Sequence, residues 1–308
     1  MDRLEAMSIL LTVVETGSLS AAGRQLNVPL ATVSRKVSEL EAHLGTRLFN
    51  RSSRLFTPTD AGLAYIACCR RILDDVEEAE RVASGEFRTP KGDLIVTAPI
   101  VFGRLHLLPV VVEFLRVYPE IDIKVVFGDK MVDLLEEHVD LALRIGALPD
   151  SGLFATRLGT IRHIVCASPA YLAQNGVPRE LAELEAHVCV AFQTLSLAGQ
   201  WKFKAATITP RARLVVNTAE AAIDAAIAGI GVTRVLSYQA EAAIRTGALS
   251  VVLEDHEPPP LPVSLVHSGE RLLPLKLRAF LDFATPRLKA RVAKAALRPA
   301  PGESEMRP

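Results

Sequence analysis

The stretch that decides the fold is residues 17–45, GSLSAAGRQLNVPLATVSRKVSELEAHLG. Ser18 is placed to cap a short helix from Leu19 to Leu26, and Asn27-Val28-Pro29 has the chemistry of a tight turn, with Pro29 suited to the first turn of the next helix. From Leu30 to Leu44, Val33, Val37, Leu40 and Leu44 recur at steps of four and three, the stripe of a longer helix that Gly45 closes. Upstream, Leu4, Met7, Leu10, Leu11 and Val14 form another amphipathic stripe, which stops at Gly17. Two helices of unequal length around a tight turn have the layout of a helix-turn-helix.

Charge points the same way. The chain has 308 residues, with 35 Lys plus Arg against 35 Asp plus Glu, which excludes a chain-wide electrostatic grip on nucleic acid or membrane. Any basic site must be local, and between Arg24 and Arg54 six cations (Arg24, Arg35, Lys36, Arg47, Arg51, Arg54) face only Glu39 and Glu41. Thr32, Arg35 and Lys36 fall in the N-terminal half of the second helix, opposite Val33, Val37 and Leu40. In a helix-turn-helix that half enters the major groove, where Arg reads guanine and Thr meets thymine methyls; Ser34 supports them. Leu48-Phe49 and Leu55-Phe56 then flank Asn50-Arg51-Ser52-Ser53-Arg54, the pattern of a hairpin wing whose tip reaches phosphate or the minor groove. Ser18 and Ser20 are placed to meet a phosphate at a helix start.

Pro58 and Thr59 open a long helix, with Thr59 as its cap, that runs to about Gly85, a length of about 40 Å. Gly62, Ile66, Cys69, Leu73, Val76, Glu80 and Ala83 follow steps of four and three, a coiled-coil seam. A second copy of the helix is its simplest partner, making Ile66, Cys69, Leu73 and Val76 the candidate dimer contacts. Three parts are thus expected before the tail: a DNA-binding domain over 1–58, a dimerisation helix over 59–87, and a domain over 91–290 after a hinge at Gly85–Gly92.

Beyond the hinge, strand patterns at Leu94–Ala98, Ile121–Phe127, Leu141–Ile145, Ile164–Ala167, Leu214–Val216, Val251–Leu253 and Val263–Val266 alternate with helical ones. The helical stretches are Pro109–Tyr118, Met131–Glu137, Tyr171–Asn175, Ala219–Ala228, Gln239–Arg245 and Leu275–Phe283. This predicts an α/β architecture with mainly parallel sheets, in two lobes of about 91–161 with 268–290 and about 162–267. The crossings are expected near Arg162–Ala167 and Val263–His267. Residues 287–308 are rich in Ala, Pro and Arg and read as frayed, with a flexible tail from 291.

In such a fold, ligands sit at the carboxyl ends of strands, against helix starts. That singles out Thr97, Pro99, Ile100 and Phe102 after the first strand, Gly128 and Asp129 after the second, and Asn217, Thr218 and Thr233 in the second lobe. Free amides near Ile100 and Thr218, with Arg144 nearby, suit a carboxylate; Thr97 and Thr233 are equally suited to capping or packing.

Catalysis has little support, and no enzyme activity, cofactor or metal is expected. Glu136, Glu137 and His138 read as a solvated helix end, and His106 as a packing residue. Cys68, Cys69, Cys166 and Cys189 lack C-x-x-C spacing and read as reduced, packed thiols. Nothing resembles a secretion signal or a membrane span, so a cytoplasmic protein without a membrane partner is expected.

These residues resemble the LysR-type transcriptional regulators. The matching positions are Gly17-Ser18-Leu19-Ser20-Ala21-Ala22, Val33-Ser34-Arg35-Lys36-Val37, Leu40-Glu41, Leu44-Gly45, Arg47-Leu48-Phe49, Asn50-Arg51, Leu55, Thr57, Thr59 and Ala61-Gly62. Ala98-Pro99, Leu108-Pro109, Tyr118-Pro119, Arg144-Ile145-Gly146, Ser168-Pro169-Ala170-Tyr171-Leu172 and Gly229-Ile230-Gly231-Val232 continue the likeness to about Phe283. Among branches it looks most like the one typified by the meningococcal contact regulator. The resemblance implies a winged helix, dimerisation through the long helix, commonly a tetramer, and binding to an imperfect inverted repeat in promoter DNA. It also implies a periplasmic-binding-type domain whose cleft takes a small effector, and leaves RNA polymerase as a candidate partner. Two positions depart from the family: Pro29-Leu30 stands where Ser-Gln is common, leaving an apolar contact to a thymine methyl as a substitute, and His138 stands where a Gly commonly closes a helix. A solute-binding protein with an appended helical domain is the alternative reading.

Overall fold

Helix α1 (Arg3–Thr16) starts at Asp2, whose carboxylate accepts the amides of Leu4 and Glu5 at 3.0 and 3.3 Å. It is followed by α2 (Leu19–Gln25) and α3 (Leu30–Leu44); α1 and α3 end on Gly17 and Gly45, both in the left-handed conformation that glycine adopts without strain. Ala6, Leu10, Val13, Ala22, Val33 and Leu40 are fully buried where the three helices meet. This computed structural model describes residues 2–50, 57–84, 89–129, 134, 139–148, 152–192, 200–268 and 273–296. The chain divides into two units, Met1–Thr89 and Pro90–Pro308.

After α3, the Glu41 carboxylate accepts the amides of Leu48 and Phe49, fixing the chain's exit into β1 (Phe49–Asn50), which pairs antiparallel with β2 (Thr57–Pro58). The long helix α4 (Asp60–Ser84) comes next. Thr59 caps it as expected: its Oγ1 accepts the Gly62 amide at 3.0 Å and donates to the Arg47 carbonyl at 2.8 Å. The first turn of α4 is pressed onto the hairpin, since a Cβ on Gly62 would stand 2.1 Å from the Leu48 carbonyl oxygen.

The second unit is built on two five-stranded sheets. Strands β3 (Gly92–Ala98), β4 (Ile121–Phe127), β5 (Leu141–Ile145) and β6 (Leu153–Ile161) enter the first, before β7 (His163–Ala167) crosses to the second. Between β3 and β4 lie α5 (Ile100–Phe102), a π-helical turn (Gly103–Leu107) and α6 (Leu108–Val117). The second lobe continues with α7 (Pro169–Asn175), β8 (Cys189–Phe192), a small hairpin of β9 (Trp201–Lys202) and β10 (Thr207–Ile208), and β11 (Ala212–Val216). Next come α8 (Ala219–Ile227), β12 (Val232–Leu236), α9 (Ser237–Arg245) and β13 (Ser250–Val252). The chain then returns through β14 (Leu261–Ser268) and ends in α10 (Leu275–Ala296). The strand orders are β4-β3-β5-β14-β6 and β11-β8-β12-β7-β13.

Three expectations are corrected. The sheets are mixed rather than mainly parallel: β14 runs antiparallel to β5 and β6, and β7 antiparallel to β12 and β13, these two being the strands by which the chain enters a lobe after each crossing. The second crossing precedes 261 rather than lying in Val263–His267; all of β14 pairs within the first sheet, so that lobe takes Leu261–Ser268. The expected fraying after Arg287 is overturned as far as Ala296. Leu288 and Val292 are fully buried, and a Cβ on Gly159 of β6 would stand 2.6 Å from Val292 Cγ1. Alternating Ala and charged residues look like a solvated tail until the sheet face they cover is known. Met131–Glu137, other than Leu134, and the tail beyond 296 lie outside the described residues.

Candidate nucleic-acid interface and effector cleft

On α3 the exposed row opposite Val33, Val37 and Leu40 is Ala31, Arg35, Ser38 and Ala42. Arg35 stands out into solvent, 61% exposed, with Nη1 2.9 Å from Glu39 Oε1 one turn on. Lys36 behaves differently: its side chain is 13% exposed and ion-paired to Glu5 of α1, so it joins two helices and is turned away from that row. Its assignment as a groove contact is therefore corrected by this ion pair, which holds the side chain against α1. Thr32 and Ser34 are half-buried on the flanks, and Leu30 is 51% exposed at the first position of the helix. Pro29 precedes the helix as its N-cap rather than lying in its first turn. Ala31 and Ser38 were missed in the sequence because small residues carry no chemical signal until their exposure is known.

Ser18 caps α2 as predicted, its Oγ accepting the Ala21 amide at 3.1 Å, and Ser20 is exposed beside it with the two hydroxyls 3.5 Å apart. The hairpin base is formed as expected, but the wing residues Arg51, Ser52, Ser53 and Arg54 lie outside the described residues.

The seam on α4 has a different partner from the one expected. Ile66 is 5% exposed and Cys69 0%, both inside the core formed with α1 to α3, and Leu73 packs against the same cluster. Ile66 and Cys69 have no surface left for a second copy. The coiled-coil spacing is that of any helix with a buried stripe, and here α1 covers it. Val76 is half-buried, while Leu63 and Ile72 are left exposed on α4 at 57% and 39%. Burial also pushes the Cys69 thiol up to about 11 and Cys166 to about 12, so neither is a thiolate at neutral pH.

In the second unit, Thr97 lies on β3 of the first lobe and Thr233 on β12 of the second. Both are buried, and each donates its hydroxyl to the neighbouring strand, Thr97 to Val126 O at 2.9 Å and Thr233 to Val190 O at 3.0 Å. They tie strands together and offer no free proton to a ligand. Thr233, expected at the carboxyl end of a strand, lies instead within the central strand β12. At each of the two helix starts expected to hold free amides, one amide is bonded to a side chain. The Ile100 amide donates to Asp129 Oδ1 at 3.1 Å, and Thr218 Oγ1 accepts the Ala221 amide at 3.3 Å. Pro99 is the N-cap of α5, Gly128 and Asn217 lie at the strand ends as predicted, and Arg144 sits half-buried on β5 opposite Ser264.

Phe102 was expected to contact the ligand, yet it is fully buried. Its ring lies 4.6 Å from His106 and 5.1 Å from Tyr238, so it closes the lobes onto one another through α5 and α9. Tyr238 carries no motif and was not foreseen. Nearby, Arg104 of the first lobe reaches within 3.9 Å of Glu220 in the second. Burial, helped by Arg291, lowers His106 to about 4, and His106 Nε2 has no hydrogen-bond partner among the described residues. It is a neutral packing ring, as the sequence suggested. Glu136, Glu137 and His138 lie outside the described residues.

Residues 4–63 match the bacterial regulatory helix-turn-helix protein, lysR family, and residues 87–289 match the LysR substrate binding domain. The chain belongs to the LysR family. Among relatives of this LysR-family chain, an uncharacterised HTH-type transcriptional regulator of Haemophilus influenzae is 35% identical, covering 90% of this chain and 98% of its own. The HTH-type transcriptional regulator CrgA of Neisseria meningitidis is 33% identical over 92% of this chain and 96% of its own, which supports the branch resemblance. The solved CrgA structure aligns with a TM-score of 0.59 at 31% identity, covering 92% of this chain and 98% of that one. The LysR-family chain is a helix-turn-helix DNA-binding transcriptional regulator with a C-terminal effector-binding domain. No single described helix is long and apolar enough to cross a membrane.

Proposed function

We propose that this regulator reads one half-site of a promoter inverted repeat through the exposed row of α3, with Arg35 as the base-reading cation. Arg51 and Arg54 of the wing and Ser18 and Ser20 of α2 grip the backbone. The observation that carries the reading is the contrast between adjacent cations: Arg35 is solvent-directed on the outer row, whereas Lys36 is ion-paired to α1. The chain works as a homodimer in the cytoplasm and acts by binding rather than by catalysis. The tetramer and contact with RNA polymerase are carried over from the family resemblance.

Two features support dimerisation. Leu63 and Ile72 are left uncovered on α4. The outer strands β4 and β11 of the two sheets carry exposed Val126, Phe127, Leu214 and Val215, apolar groups on edges that pair on one side only. A small effector acts between the lobes. A carboxylate there must compete with Asp129 for the Ile100 amide, so a thermal-shift screen of carboxylate and amine metabolites decides the ligand's charge.

A gel shift with the intergenic DNA upstream of the chain's own gene tests the whole reading. Retention at low salt, with mobility changed by a metabolite found in the screen, supports it. A folded protein that ignores every such fragment overturns this assignment of the operator and of α3 as its reader.

A further inference from the structure

We propose that Leu30 is a specificity-determining residue that reads the C5-methyl group of a pyrimidine in the major groove. The inference rests on α3 being the helix that enters that groove. Leu30 is the first residue of this 15-residue helix and keeps 51% of its surface exposed, although every other apolar side chain on the first three turns of α3 larger than alanine, namely Val33, Val37 and Leu40, is buried. The position is rigidly held. Gly23 of α2 lies so close that a Cβ there would stand 2.9 Å from Val28 O and 3.6 Å from the Leu30 nitrogen, so the turn presents Leu30 on a fixed backbone.

The neighbours of Leu30 leave room for close approach. Ala31, beside it, is small and exposed. Pro29 makes no side-chain cap bond. An isobutyl group at this place has no donor or acceptor with which to read a base edge. The one apolar feature the major groove displays is the methyl on C5, carried by thymine and equally by 5-methylcytosine. Arg35 of the outer row, five residues on, then reads a guanine elsewhere in the same half-site.

The test uses the whole chain and a duplex selected from randomised DNA on the immobilised protein. Each thymine is replaced singly by uracil, which removes only the methyl. At one position in each half-site the replacement should weaken binding about fourfold, the equivalent of one methyl group returned to water. The Leu30→Ala and Leu30→Gln variants should be indifferent to it, and as Leu30 is half-exposed both should melt with the wild type. At the same position 5-methylcytosine should bind more tightly than cytosine by a similar factor; equal binding of the two confines the contact to thymine. Binding that is blind to uracil at every position, or equally sensitive in Leu30→Ala, overturns this inference and leaves the DNA-binding reading intact. Failure to retain any duplex overturns both.

Discussion

Arg162 and Glu257 join the two crossings of the effector-binding domain: Arg162 Nη1 donates to both carboxylate oxygens of Glu257, at 3.0 and 2.9 Å. Arg162 lies between β6 and β7, and Glu257 between β13 and β14, the two places where the chain passes from lobe to lobe. Both side chains are largely enclosed, 20% and 12% exposed. The pairing is imperfect, since Arg162 Nε has no partner among the described residues. Glu257→Gln should destabilise the fold by about 2 kcal/mol, because it leaves a largely enclosed guanidinium without its counter-ion. Arg162→Met with Glu257→Leu should recover much of that loss. Urea unfolding of the whole chain measures both; a double variant no more stable than the single one contradicts the pairing.

His106 and His163 are each held down to about 4, by burial first, and then by Arg291 for the former and Arg234 for the latter. Their folded values lie below the ordinary 6.5, so between those limits the unfolded chain binds more protons than the fold. The stability from neutral histidines is full above pH 6.5 and is lost as the pH falls towards 4, by a few kcal/mol in all. His106→Phe, which keeps a ring against Phe102 and Tyr238, should flatten part of that slope in denaturant melts at pH 7 and pH 5.

Arg35→Ala should relax base specificity by about 1–3 kcal/mol at one position of each half-site. Lys36→Met should leave specificity unchanged and instead lower thermal stability slightly, since its partner is Glu5 rather than DNA. If each dimer neutralises about six phosphates, log affinity should fall against log salt with a slope near −5, and Lys36→Met should preserve that slope. Filter binding across a salt series separates the two residues.

Gly62→Ala should be among the most damaging single-methyl changes in the first unit. The new Cβ would stand 2.1 Å from the Leu48 carbonyl oxygen, a backbone atom fixed by the Thr59 amide at 2.9 Å. Relief requires α4 to move off the hairpin, at a cost of about 2 kcal/mol or more. Circular-dichroism melts compared with Ala61→Ser, at the exposed neighbour, isolate the effect.

Where one element's own periodicity carries the information, the sequence was legible. α3 spans the predicted Leu30–Leu44, and β4 and β5 fall on the predicted Ile121–Phe127 and Leu141–Ile145. β6 was missed because Thr156, Arg157, Gly159 and Thr160 break its apolar pattern; pairing with β14 and the cover of α10 bury Leu158 and Ile161. β12 was missed for a related reason, with Thr233 and Arg234 inside a five-residue strand whose buried hydroxyl is satisfied by Val190. Among candidate site residues, the sequence named Thr97, Phe102 and Lys36 by type and position, but their partners decide what they can do.

The sequence by itself determined the helix-turn-helix with its caps, the long α4 and the α/β character of the second unit, because each depends on spacing and turn chemistry within one segment. Tertiary structure decided that the α4 stripe faces its own domain, that Lys36 turns to Glu5, that Phe102 fills the junction of the lobes and that β14 returns to the first sheet. Those outcomes depend on which surface is nearest in space. A side chain buried by a neighbour remote in sequence has the same local pattern as one awaiting a ligand or a second copy.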